Sequence, residues 1–208
     1  MADKEKSLFW FCYNTNKRGI SLDLERKDGR MLFKRLMEKA DIIIESFPPG
    51  RMEEWKLGYD DLSKINSRII YTAITPFGKT GPYKDHKVTD LVSMAMGGPL
   101  YLTGDTDRPP VRVSCPQAYL HAGAEAAVAI LMALYHREIT GEGQFIDVSI
   151  QESLIKATFN ATLSWFQDKV SLRRLGAKRI IGKQLTLPEV WPCKDGFVSF
   201  TILGGFTG

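Results

Sequence analysis

The chain has 208 residues, 44% of them hydrophobic and 25% charged, which supplies a sizeable core and argues against global disorder. Its net charge of +4 and pI near 8.9 come without a dense Lys/Arg stripe interleaved with aromatics, so nucleic acid is disfavoured and a small anionic ligand stays open. Cys12, Cys115 and Cys193 form no metal-spaced pair or disulfide framework, no apolar run reads as a membrane span, and the start MADKEKSLFWF lacks a signal-peptide layout; a cytoplasmic protein is expected.

In chain order, residues 19–24 (GISLDL) read as a short strand. Asp28 is placed to cap a helix running to about Ala40, with Leu32, Phe33, Leu36 and Met37 at helical spacing. Ile42-Ile43-Ile44 is a continuous apolar run, as in a strand buried on both faces, and Pro48-Pro49-Gly50 ends it. A short helix over 59–65 and a buried strand over 68–74 follow. This β-α-β-α-β order predicts a parallel sheet with helices on its faces, an α/β fold of Rossmann-like type.

Residues 77–87 read as a Gly/Pro/Lys-rich surface loop, 88–96 as a helix closed by Gly97-Gly98-Pro99, and 104–110 as a second polar loop. From Gly123 the chain reads as an Ala- and Leu-rich helix, apolar nearly all round and so covered on most faces. Thr140-Gly141-Glu142-Gly143 stops it. The next strand alternates, with Ile146, Val148 and Ile150 on one face and Phe145, Asp147 and Ser149 on the other. A helix over 152–168, a basic stretch over 173–179 that reads as a solvated helix face, and a strand over 197–202 fed by the turn Pro192-Cys193-Lys194-Asp195-Gly196 complete the pattern. The last strand arrives with nothing to pair with, and the first twenty residues leave little room for an opening strand and ligand loop. Both edges read as those of a piece of a larger protein.

The sequence holds no G-x-G-x-x-G, no P-loop, no H-E-x-x-H and no G-x-S-x-G. NAD, metal and serine-nucleophile chemistry therefore lack their usual devices. His86, His121 and His136 have no ligand spacing; His121 and His136 read as structural or capping groups. Cys115, before Pro116, has no activating neighbour in sequence.

Several blocks carry a resemblance. Residues 14–24 (NTNKRGISLDL), 40–50 (ADIIIESFPPG), Leu57-Gly58-Tyr59, and 137–144 (REITGEGQ) followed by Ile146-Asp147-Val148-Ser149 resemble, in order and spacing, the class III CoA-transferases of the CaiB/BaiF family. The resemblance implies a Rossmann-like large domain and a small α+β domain, with two chains interlocked as a homo- or heterodimer. On that frame residues 1–185 are a large domain without its first strand, and 186–208 the beginning of the small one. The implied substrates are an acyl-CoA and a carboxylic acid, with coenzyme A moving between acids.

In this family an aspartate carboxylate attacks the thioester and forms a mixed anhydride. It lies four residues before the glycine that opens the long helix. Here that glycine is Gly123 and the position holds Tyr119. A phenol, with its pKa near 10, forms no acyl anhydride. Asp90, before Met96-Gly97-Gly98, and Glu125 are the acids nearest this position in the pattern; Asp90 reads better as a loop organiser and Glu125 as a group facing solvent or a partner. A racemase reading fails, because its His and Asp positions hold Thr89 and Tyr119. By resemblance, Leu22 and Phe47 flank the adenine and pantetheine of CoA, Lys87 approaches the cofactor, and Ser46 stands for the usual asparagine. Glu54 replaces an arginine of that neighbourhood. Arg18 is expected to open the first strand at the ligand edge of the sheet. Two functions follow: a CoA-transferase chain for small organic or aromatic acids, and a non-catalytic CoA-binding subunit paired with an Asp-bearing homologue.

Overall fold

The structure is a computed structural model that describes residues 7–181 and 185–200. Its centre is a three-stranded parallel sheet of β1 (Ile42–Glu45), β2 (Ile70–Thr75) and β3 (Phe145–Ser149), in that order. Thr72 on the middle strand lies between Ile44 and Ile146. Around it are α1 (Leu8–Tyr13), α2 (Lys27–Met37), α3 (Arg51–Glu54), α4 (Tyr59–Leu62), α5 (Asp90–Met96), α6 (Pro99–Leu102), α7 (Gln117–Thr140), α8 (Ile150–Ala157) and α9 (Phe159–Asp168). Two antiparallel hairpins follow, β4 (Lys178–Ile181) with β5 (Leu185–Pro188) and β6 (Val190–Cys193) with β7 (Gly196–Ser199).

Because β2 is central, both its faces are covered. Tyr71 and Ala73 join Ile43, Met52, Leu57, Leu62 and Ile69 on one side. On the other, Ala118, Ala122 and Ala126 of α7 pack with Met94, Val148, Ile150 and Leu154. The alternation read for β3 holds: Val148 and Ile150 enter this second core, while the Phe145 ring packs at a tilt against Tyr59 and Tyr71, with centroids at 5.9 and 5.8 Å. The glycine turn before β3 is sterically dictated. A Cβ on Gly143 would lie 2.0 Å from the Ile69 carbonyl oxygen, so only glycine lets the turn lie against β2.

Several expectations change. Residues 19–24 form no strand. Their polar groups are used locally: the Asp23 carboxylate accepts from Glu25 N–H at 2.9 Å, and the Arg30 guanidinium takes the carbonyls of Leu24 and Glu25. Asp28 lies inside the first turn of α2 and is not its cap, which is Arg26. β1 is an edge strand, so Ile42 and Ile44 are exposed and only Ile43 and Glu45 are buried. The helix expected over 152–168 breaks at Thr158, whose hydroxyl donates to the Ile155 carbonyl at 3.1 Å. The basic stretch is not helical; Arg174 instead binds the carbonyls of Tyr101, Asp105 and Arg108. β7 does have a partner, β6; residues from 201 onward lie outside the described residues.

The long helix starts at Gln117, six residues before Gly123, behind Pro116. At 24 residues it is long and apolar enough to cross a membrane. One stripe, Ala118, Ala122, Ala126, Ile130, Ala133 and Arg137, is buried where the helix packs on the sheet, but the cover expected on most faces is not provided by the described residues of this chain. The opposite face is open within this chain: Leu131, Met132, Tyr135 and Ile139 are each 64–72% exposed.

Candidate functional site

A cleft of about 460 Å³ opens beyond the carboxyl ends of the parallel strands, where ligands of open α/β sheets bind. Ser46 follows β1, Ile74 and Pro76 close β2, and Ile150 follows β3; Val88 and Ser93 come from the α5 side, and Tyr119 from the first turn of α7. Three hydroxyls and four apolar side chains therefore line it, and none of these seven carries a charge. Tyr119 is half exposed, whereas Ser93 is 1% exposed and its hydroxyl has no hydrogen-bond partner among the described residues.

Asp90 fixes the Tyr119 turn. Its Oδ1 accepts the Ala118 N–H at 3.0 Å, and its Oδ2 lies 3.5 Å from the Arg112 guanidinium. The helix begins at Pro116 without a side-chain cap of its own, so Asp90 satisfies from α5 one of the orphan amides of α7. Thr89 caps α5, accepting from Val92 N–H at 3.5 Å. Glu125 pairs with Lys156 of the same chain.

The cleft brings Ser46 and Tyr119 together, with Asp90 behind Tyr119 and Lys87 next to Val88. Lys87 is exposed and makes no ion pair among the described residues. Phe47 follows Ser46 and packs edge-on against Trp55 at 5.3 Å. Leu22 is half-buried and Arg18 exposed; with no strand at 19–24, the sheet-edge argument for Arg18 loses its basis. Glu54 pairs with Arg51, whose guanidinium also covers the Trp55 ring.

Sequence reading passed over Glu45, which closes β1 beside the cleft. It is 8% exposed and accepts the Phe47 N–H at 2.7 Å. Burial pushes its carboxyl pKa up; the Phe47 hydrogen bond and Lys79 oppose this, and Glu53 and Asp147 add to it. Burial likewise raises the Tyr71 phenol. Ser93 was also missed, since nothing in its local sequence sets it apart. The described residues contain no group of three or more His, Cys, Asp or Glu that would hold a metal ion.

The pattern described as CoA-transferase family III matches residues 1–205. The chain belongs to this family. It is 36% identical over 202 residues to the succinyl-CoA:(R)-benzylsuccinate CoA-transferase subunit BbsE of Thauera aromatica, covering 97% of this chain and 48% of that one. It is 39% identical over 153 residues to the succinyl-CoA–L-malate CoA-transferase beta subunit of Chloroflexus aurantiacus, covering 73% of this chain and 38% of the relative. A crystal structure of a CaiB/BaiF family protein from Brucella suis superposes with TM-score 0.79 at 34% identity, over 87% of this chain and 47% of that one. This member of CoA-transferase family III thus spans about half the length of the curated relatives it matches.

Proposed function

We propose that this chain is part of a CoA-transferase that moves coenzyme A between small carboxylic acids through acyl-CoA. Family membership and the curated relatives support the reaction class. The cleft at the carboxyl end of the sheet is the place for the thioester. Ser46 lines it at the end of β1; Phe47, Lys87, Leu22 and Arg18 are candidates for contact with CoA on the family resemblance alone.

One observation favours a division of labour. Tyr119, in the helix turn that lines the cleft, occupies the position that the family resemblance assigns to the carboxylate nucleophile. Covalent relay through a mixed anhydride needs that carboxylate. On this reading the chain holds acyl-CoA, and a homologous chain supplies the acid. Relatives named as a subunit and as a beta subunit fit such an assembly. So does the open apolar face of α7, which an interlocked homologue would cover. The deciding experiment exposes the chain to succinyl-CoA and hydroxylamine and maps hydroxamates by mass spectrometry. None is expected on this chain, and one is expected on a carboxylate of a co-purifying homologue. A hydroxamate on Asp90 or Glu125 would overturn the division.

A further inference from the structure

We propose that Ser93 and Tyr119 form a hydroxyl pair that holds the carbonyl oxygen of an intact acyl thioester through hydrogen bonds, with no covalent step. The proposal rests on the reading that the cleft takes acyl-CoA, and goes beyond it in naming the group bound and the residues that bind it.

Ser93 carries the argument. A serine inside a helix usually spends its hydroxyl on the carbonyl four residues back. Ser153 does so, donating to Ser149 at 2.9 Å. Ser93 does not; the residue is among those lining the cleft, and its hydroxyl is buried with no partner among the described residues. A buried hydroxyl left unpaired lowers stability, and a ligand acceptor in the cleft removes that loss. Tyr119 supplies a second donor from α7, in a turn held by Asp90.

Charge selects the ligand group. The seven lining side chains include no cation, and Arg112 at the base of α7 already faces Asp90. A free carboxylate entering such a site would lose hydration without a counter-charge. An uncharged thioester carbonyl needs only hydrogen-bond donors, and the apolar walls of Ile74, Pro76, Val88 and Ile150 suit a short acyl chain.

The test uses the full chain and two probes, acetyl-CoA and S-ethyl-CoA, a thioether that lacks the carbonyl. Calorimetry is expected to show wild type preferring acetyl-CoA by about tenfold. Ser93→Ala and Tyr119→Phe should each bring the two affinities close together, and Ser93→Thr should restore most of the preference. The infrared carbonyl stretch of 13C-labelled acetyl-CoA should lie lower in wild type than in either variant. Because the Ser93 hydroxyl is unpaired, Ser93→Ala should melt no lower than wild type, which a structural hydroxyl would not allow. Equal wild-type affinity for both probes, or a preference that survives both substitutions, overturns the pair while leaving acyl-CoA binding in place. Failure of wild type to bind either probe overturns the underlying reading as well.

Discussion

The Asp90 carboxylate accepts the Ala118 backbone N–H at 3.0 Å, so an acid on α5 caps the helix that carries Tyr119. The two residues are 28 positions apart in sequence. The bond couples the start of α5 to the wall of the cleft. Asp90→Ala should cost about 1–2 kcal/mol of stability, the usual effect of losing a cap. Asp90→Asn keeps an acceptor and should cost less. Urea denaturation of both variants checks the order, and equal losses would mean that capping is not what Asp90 contributes.

Two glycines in one motif region should respond in opposite directions. Gly143→Ala places a methyl 2.0 Å from the Ile69 carbonyl oxygen and should prevent native packing of β3 against β2. Gly123→Ala, inside α7 with nothing within 4 Å of its Cβ position, should stabilise by about 0.5–1 kcal/mol. Thermal melts of the two variants report this directly.

Glu45 predicts a pH signature. Its folded-state pKa is raised above 4.5 by burial, so the native state holds this proton more tightly than the unfolded chain does. The Glu45 contribution is therefore most favourable below pH 4.5 and declines as pH rises through the raised pKa. Glu45→Gln keeps an acceptor for the Phe47 N–H and has no proton to lose. The stability difference, variant minus wild type, should grow from pH 4 upward and then level off. A difference independent of pH would contradict this account.

Arg174 staples the segment between α6 and α7. Its guanidinium donates to Tyr101 at 2.9 Å and to Asp105 and Arg108 at 3.3 Å each, and it lies over the Tyr101 ring at 5.3 Å. A lysine cannot reproduce that fork. Arg174→Lys should speed proteolytic nicking within residues 103–111, with a loss of about 1–2 kcal/mol. Cleavage at the wild-type rate would count against the staple.

The parts of the fold legible in the sequence were those with a strong local signal. The runs over 42–44, 68–74 and 145–149 found their strands, because their β-branched density and alternation met a neighbouring strand to pair with. Residues 19–24 carried the same pattern but lacked a neighbour to pair with, and Asp23 and Arg30 satisfied their backbone instead. The helix reads from Gly123 in the sequence, whereas α7 begins six residues earlier at Gln117, directly after Pro116. Tyr119 and Ser46 could be named from the family pattern, and the structure gathers them in one cleft. Ser93 and Glu45 could not. Their significance lies in what surrounds them in space, and helix and strand periodicity say nothing about that.

Helix α7 is anchored at both ends, by Asp90 at Ala118 and by the Arg137 guanidinium, which grips the Asp41 carboxylate at 3.1 Å and the carbonyls of Asp41 and Arg68 at 3.2 Å. Its 24 residues therefore work as a ruler about 36 Å long, with the far edge of the sheet as its zero mark. Deleting one residue midway would turn everything upstream by about 100° and swing the phenol out of the cleft, though no atom of the cleft itself had been altered.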